Sequence, residues 1–243
     1  MAGHAQSYTR NLLLGACSTT DFALLQPDLT RVDLAMRQPL YSPGEAIKQA
    51  YFLEGGLGSV VAQQEDGVEI EVGILGLEGL SGASILLGVD RSPHRCFMQL
   101  APATALSIPA EALARACDVS RSLRKLLLAY VQCTIVQAAQ TAASNGNHEL
   151  PGRLARWLLM CHDRVEGDEI AITHEFLGMM LAVRRSGVTT ALHALEGASA
   201  IKSRRGLVTI TNRERLLEIA DGSYGNAEAE YRRLVAPFGK GPN

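Results

Sequence analysis

The spacing of apolar residues changes character several times along the chain. Between residues 9 and 36, "TRNLLLGAC" and "TTDFALLQPDL" carry local helical periodicity, with Thr20 and Asp21 as capping groups, so short helices are predicted there. From Met36 to Ile108 the apolar runs are short and punctuated by Pro43-Gly44, Gly55-Gly56, Asp66-Gly67, Gly76, Gly79, Gly82 and Pro93. β-rich runs between frequent turn signals predict an antiparallel sandwich or barrel. Within it, "GSVVAQQEDGVEIEVGIL" reads as a hairpin with Asp66-Gly67 at its tip. Gly73, Gly76, Gly79 and Gly82 stand three apart, not as GxGxxG, and no βαβ unit surrounds them, which argues against a dinucleotide fold. They are read as tight corners between strands. The other reading is a loop whose free backbone N–H groups face a small ligand.

From about Ser120 the pattern turns helical. In "SRSLRKLLLAYVQCTIVQAAQTAAS", Leu123, Leu127, Tyr130, Thr134, Gln137 and Thr141 step by four and three, an a/d-like seam over nearly three heptads. Such a seam packs on the helix's own β-domain or on a symmetry mate, and we read these six residues as a dimer interface whose polar half helps fix register. Asn145-Gly146-Asn147 is expected to break the helix and form a hinge. The expected division is therefore 1–118, a β-rich domain; 119–145, a dimerisation helix; and 146–243, a second domain. That domain opens with the amphipathic "ELPGRLARWLLMCHDRV", whose Trp157 is expected to be core, followed by a turn at Glu166-Gly167-Asp168.

"THEFLGMMLAVRRSGVTTALHAL" then holds two helical apolar faces with a break between them. Thr173 is an N-cap candidate. The first helix runs through Phe176, Leu177, Met180 and Leu181, the break falls at Ala182-Val183, and the second helix runs through Val188, Ala191, Leu192 and Leu195. Packing between them predicts a helix-turn-helix, with Arg184, Arg185 and Ser186 at the start of the second helix. An arginine there can donate two hydrogen bonds to a guanine edge. "IKSRRGLVTI" follows as two short β runs with Arg205-Gly206 near the turn, at the spacing of a wing, and offers Lys202, Arg204 and Arg205 to phosphates.

Charge changes this picture in one place. The 243-residue chain has a formal net charge of −2, yet residues 184–215 carry seven Lys or Arg against only Glu196 and Glu214. A mildly acidic body with a local basic cluster suits an anionic partner on one face. Cys17, Cys96, Cys117, Cys133 and Cys161 are scattered, odd in number and never spaced CxxC, which argues against a disulfide scaffold or a zinc site; one redox-sensing thiol stays open. No export signal and no membrane span is expected, and a cytoplasmic location follows by default. Nothing like G-x-S-x-G, HExxH or a converging carboxylate pair appears, so no enzymatic activity is expected.

The order of β-rich domain, long helix, hinge, helix-turn-helix and basic hairpin resembles the Crp–Fnr family of bacterial transcription regulators over nearly the whole chain. "YSPGEAIKQAYFLEGG" is similar to the family's first β-roll segment, and "ITHEFLGMMLAVRRSGVTTALHALE" to its DNA-binding motif. The resemblance implies an α+β fold: a cyclic-nucleotide-binding-type β-roll, a long dimerisation helix and a winged helix-turn-helix. It implies a homodimer that binds double-stranded DNA at a near-palindrome, with RNA polymerase as a further partner. Arg185, Ser186 and Thr190 fall at its base-facing positions. Thr173, His174, Arg184 and Gly187 fall at or near phosphate positions, although His174 also reads as a plain exposed histidine. Ala182 stands at a turn position where the family has glycine; if that turn is left-handed, alanine costs on the order of 1 kcal/mol.

Cyclic-nucleotide binders of the family carry Gly-Glu, an apolar run and then Arg-Ser or Arg-Thr. The equivalent stretch here is "LEGLSGASILLGVDRSPHRCFMQ", in which Gly82 precedes Ala83 and the carboxylate is missing. Pro93 and His94 stand near the arginine position, with Arg91, Ser92 and Arg95 beside them. Gly82, Ala83, Arg91, Ser92 and Arg95 are the candidate pocket, with Thr141 or Ser144 as adenine partners. A cofactor is not expected: cyclic AMP dependence is disfavoured, and neither a cluster nor a haem has a motif behind it. The competing function is a ligand-binding signalling module whose winged helix contacts a protein.

Overall fold

The computed structural model describes residues 5–63, 67, 69–100 and 103–240. Two short helices open it, α1 (Leu12–Gly15) and α2 (Thr19–Leu25), capped by the side chains of Asn11 and Ser18. Thr20 and Asp21 do not cap them. The Asp21 carboxylate instead accepts a hydrogen bond from the Ser122 hydroxyl at 2.8 Å, tying α2 to the long helix. The helical region also ends earlier than expected. Beyond Pro27 the chain extends into β1 (Thr30–Leu34), which pairs along β7 (Ala103–Pro109).

The remaining strands of this half are β2 (Pro39–Tyr41), β3 (Gln49–Leu53), β4 (Leu57–Gln63), β5 (Glu69–Leu75) and β6 (Arg95–Leu100). They form two antiparallel sheets, ordered β1-β7-β3 and β2-β6-β4-β5. β4 and β5 form the expected hairpin, with Gln63 opposite Glu69 and Gly67 at φ 80°. Asp66 lies outside the described residues. Close approach explains two of the spaced glycines. A Cβ at Gly79 would sit 2.3 Å from the Tyr130 hydroxyl, and one at Gly76 would sit 2.9 Å from Arg164 Cγ.

Two helices follow, α3 (Ala110–Val119), which the sequence reading passed over, and α4 (Arg121–Asn147). The Ser120 hydroxyl caps α4, accepting from the Leu123 amide. Asn145-Gly146-Asn147 does not break this helix. The glycine is carried in its last turn, at a cost of roughly 1 kcal/mol, and the extended residue is His148. The six-residue seam is also corrected. Leu123, Leu127, Tyr130 and Gln137 are buried against the protomer's own sheets: Leu123, Leu127 and Tyr130 share a core with Phe52 and Leu80, and the Gln137 amide oxygen accepts from Ile74 N at 2.9 Å. Thr134 and Thr141 are half-buried and bond back to carbonyls of their own helix. The periodicity was real, but it recorded packing on the β-roll.

The second half consists of α5 (Leu150–His162), β8 (Glu169–Ile170), α6 (His174–Leu181), α7 (Arg185–Gly197), β9 (Ile201–Arg204), β10 (Leu207–Ile210), α8 (Arg213–Ala220) and α9 (Asn226–Leu234). The small sheet runs β8-β10-β9. Its core does not close on itself. Trp157, Leu158, Leu177 and Met180 pack in one cluster with Leu57, Val61, Ile74 and Phe97 of the β-roll. α9 returns to lie along α4, and Tyr231 and Phe238 enter the core of the first half. The architecture is thus the expected α+β arrangement of β-roll, long helix and winged helix-turn-helix, with α9 packed along α4.

Candidate nucleic-acid interface

Local chemistry builds the two-helix motif. The Thr173 hydroxyl accepts from the Phe176 amide at 3.2 Å and starts α6. Ala182 ends it in the left-handed region, at φ 53° and ψ 47°, the geometry that disfavours alanine. Gly178 is the residue that the sequence reading missed. A Cβ there would stand 2.9 Å from the Val183 carbonyl oxygen, so only glycine lets the turn fold back this tightly. Val188, Leu192 and Leu195 are fully buried beneath α6 and α5.

This packing leaves one face of α7 in solvent. Arg184, Arg185, Ser186 and Thr190 are exposed, and Gly187 is half-buried against Leu150. Arg184 is the N-cap residue and makes no side-chain cap, so the first amides of α7 point outward with the positive end of the helix dipole. The Thr190 hydroxyl donates to the Ser186 carbonyl at 3.2 Å. His174 is placed differently from a plain exposed histidine: its Nδ1 lies 3.3 Å from the Thr189 hydroxyl, bridging α6 and α7.

The wing is held beside α7 by a contact the sequence did not suggest. Glu196 accepts from Ser203 N at 2.7 Å and from the Ser203 hydroxyl at 2.8 Å, and the backbone hydrogen bond, then the hydroxyl, pulls its carboxyl below the usual range. Arg205-Gly206 forms the tip, with Gly206 at φ 75°, and Lys202, Arg204 and Arg205 are exposed. Arg204 rests 3.5 Å from Glu169, an exposed pair worth little. The structure therefore gathers the base-facing candidates and the wing cations on one exposed region.

The pocket candidates do not stay together. Gly82 and Ala83 line a cavity of about 170 Å³ between the β-roll and α4, with Tyr130, Thr134 and Gln137 among the other walls. Arg91, Ser92 and Arg95 do not line it. Arg91 is exposed and donates to the Gly44 carbonyl at 2.7 Å. Ser92 accepts from His94 N. Arg95 pairs with Glu69 at 2.9 Å and stacks 4.4 Å from the Phe97 ring. Ser144 is buried outside this cavity, and Thr141 accepts from Arg156. Among the described residues, no Lys, Arg, Asp or Glu side chain lines the cavity.

All five cysteines are buried and free, and burial raises each thiol, Cys117 and Cys133 to about 11. Thiolate chemistry is disfavoured at every one. Among the described residues, no group of three His, Cys, Asp or Glu could hold a metal. α4 alone among the described helices is long and apolar enough to cross a membrane by length and composition, with a mean hydropathy of 1.3 over its best window. One side of it is packed by the β-roll and α9, and its opposite side shows an exposed stripe, Leu128, Gln132, Ile135, Ala139 and Ala142. Leu128 is 38% and Ile135 58% exposed.

Residues 152–219 match the Crp-like helix-turn-helix domain family. No curated protein sequence matches the chain significantly. Among solved structures, it is similar to a protein assigned to the Crp/Fnr family of transcriptional regulators from Eubacterium rectale, at 18% identity and TM-score 0.67 over 86% of this chain and 97% of that one. FixK2 from Bradyrhizobium japonicum aligns at 17% identity and TM-score 0.66, covering 79% of this chain and 96% of its own. The c-di-GMP responsive global regulator CLP of Xanthomonas campestris aligns at 16% and 0.63, covering 79% and 99%. The chain therefore carries a Crp-like helix-turn-helix domain within the fold of the Crp/Fnr transcription regulators.

Proposed function

We propose that the protein is a homodimeric, sequence-specific DNA-binding transcription regulator. The observation that carries this is the uncapped, exposed start of α7, with Arg184, Arg185, Ser186 and Thr190 outward and the cationic wing beside it. Arg185, Ser186 and Thr190 face base edges; Thr173, His174, Arg184, Gly187, Lys202, Arg204 and Arg205 face phosphates. The exposed stripe of α4 from Leu128 to Ala142 is the dimer seam. A second copy there covers the apolar side chains that the protomer leaves in water. Two α7 helices related by that axis read a near-palindrome with half-sites about 34 Å apart.

The regulator works without cyclic AMP. A cyclic phosphate in the 170 Å³ cavity would be buried with no cation to pair with it, which costs several kcal/mol. A DNA reader acts where the bacterial chromosome lies, in the cytoplasm, and contact with RNA polymerase is what the resemblance implies at a promoter. The test is selection of duplexes from a random pool by the full-length protein with no ligand added. An enriched palindrome of constant spacing is expected. No enrichment, with or without cyclic AMP, would overturn the DNA reading in favour of a winged helix that contacts protein.

A further inference from the structure

The contact between the β-roll and the helix-turn-helix half is centred on a carboxylate. Glu71 of β5 is buried, at 6% exposure. Its Oε2 lies 2.6 Å from the Ser59 hydroxyl of β4, and its Oε1 accepts from the Trp157 indole N–H of α5 at 2.7 Å. Ser59 also lies 3.6 Å from Met180 Sδ of α6. Phe176 of α6 packs edge-on to Phe97 of β6 nearby, at 6.1 Å between centroids. Strands and reading-unit helices thus meet around one acidic group.

Among the described residues, no cation is bonded to it. Arg156 of α5 donates to the Ser223 carbonyl and the Thr141 hydroxyl. Arg164, in the turn just after α5, is committed to Glu78 at 2.8 Å and to the Met160 carbonyl. Arg153 bonds Asn145 and the Leu181 carbonyl. Cys161 of α5 is a buried thiol. From α6 come Met180 and Leu181, and from α4 Thr141 and Ser144, none of which titrates near neutrality. An ionised Glu71 is therefore a buried charge held by two neutral donors and distant guanidinium groups, an expensive arrangement. The neutral acid fits the same site: its O–H donates to the Ser59 oxygen while Oε1 still accepts from Trp157.

We propose that Glu71 is a proton-operated latch: protonated, it holds α5 and α6 on the β4–β5 face, and ionised, it releases them. Burial is the dominant influence and lifts the carboxyl to about 7, against the lowering pull of Ser59, Trp157, Arg156 and Arg164 in that order. Released, Glu71 is an ordinary strand carboxylate near 4.5. Its docked value is the higher one, so docking takes up a proton. Docking is strongest below about 4.5, weakens as pH rises, and is weakest above about 7. A gap of about 2.5 units is roughly a 300-fold change in the docking equilibrium. Because α7 is packed on α5 and α6, the latch sets where the DNA-reading face stands relative to α4.

Trp157 is the chain's one tryptophan, so its emission reports the latch directly. The experiment follows that emission in the full-length protein from pH 4 to 9. The wild type is expected to shift reversibly to the red with a midpoint between about 4.5 and 7, the range over which docking weakens. Glu71→Gln, which keeps both hydrogen bonds without a charge, is expected to stay blue throughout. Ser59→Ala removes one donor to the carboxylate and the acceptor of the neutral acid's O–H, so it weakens docking and is expected to lower the midpoint, which keeps the test usable should Glu71→Gln not fold. A flat wild-type profile, or the same transition in Glu71→Gln, overturns the latch. The measurement uses no DNA, so its outcome is separate from that of the DNA reading.

Discussion

The turn between α6 and α7 predicts opposite effects for two substitutions four residues apart. Ala182 sits at φ 53°, where an L-residue's Cβ crowds the following carbonyl at a cost of roughly 1–2 kcal/mol. Ala182→Gly removes that cost and adds unfolded-chain entropy worth roughly 0.4–1 kcal/mol. The net is a gain of about 0.5–1 kcal/mol, or a Tm rise of roughly 1–4 °C for a chain of this size. Gly178→Ala runs the other way. Its Cβ would meet a backbone oxygen at 2.9 Å, and backbone cannot swing aside as a side-chain end can. Overpacking of that kind costs roughly 1–3 kcal/mol, partly offset by about 1 kcal/mol of helix propensity. We expect a net loss of about 1 kcal/mol, together with weaker DNA binding because α7 is tilted. Urea unfolding and thermal melts of both variants check this. Shifts of the same sign, or destabilisation by Ala182→Gly, would refute the left-handed turn and the close approach together.

Three further expectations concern the DNA reading. Arg185→Ala should cost about 1–3 kcal/mol on a selected site and relax specificity at one base position; equal losses on random duplex in the same titration count against a base-reading role. Lys202→Ala should weaken all sequences alike and flatten the log–log salt slope by about 0.9 per subunit, about 1.8 for the dimer, measured by binding from roughly 50 to 200 mM salt. Ile135→Glu places charge on the exposed stripe of α4 and should convert a dimer into monomers in sedimentation, while Thr134→Ala, off the stripe, should not.

The helix-turn-helix was legible because its signals are local. An N-cap at Thr173, an apolar face on each side of Ala182-Val183 and the paired arginines all lie within one short stretch. The hinge and the seam were not. Gly146 reads as a breaker, but one glycine in a final turn is affordable when the preceding helix is long. The step of four and three through Leu123, Leu127 and Tyr130 reports that a helix face is buried and says nothing of what buries it. The stripe that stays in water, Leu128 to Ala142, has the same step but is diluted by Gln132 and alanines, so it stood out less. β1 was misread because Val32 and Leu34 form too short an alternation to outweigh the helical stretch before them. α8 and α9 were passed over, although "RERLLEIA" and "NAEAEYRRL" carry a helical pattern that a longer reading would have found.

Contacts between the two halves are invisible to any local pattern, and they decide how the molecule works as a unit. Glu71, Glu78, Trp157 and Arg164 lie far apart in sequence and meet only because the second half folds back on the first. The Arg164–Glu78 pair is buried on both sides, and the Tyr231 hydroxyl bonds the Glu78 carbonyl oxygen at 2.7 Å. Removing one partner of such a pair strands the other charge, at a cost of several kcal/mol, so Arg164 and Glu78 form a permanent joint. The Glu71 contact differs in kind, since its charged form has no bonded cation to lose. One joint is fixed and the other is proposed to respond to protons; Trp157 lies within α5 and Arg164 in the turn just after it. If Glu71 acts as the proposed latch, its ionisation loosens the contact at Trp157 while the buried Arg164–Glu78 pair still ties the second half to the first.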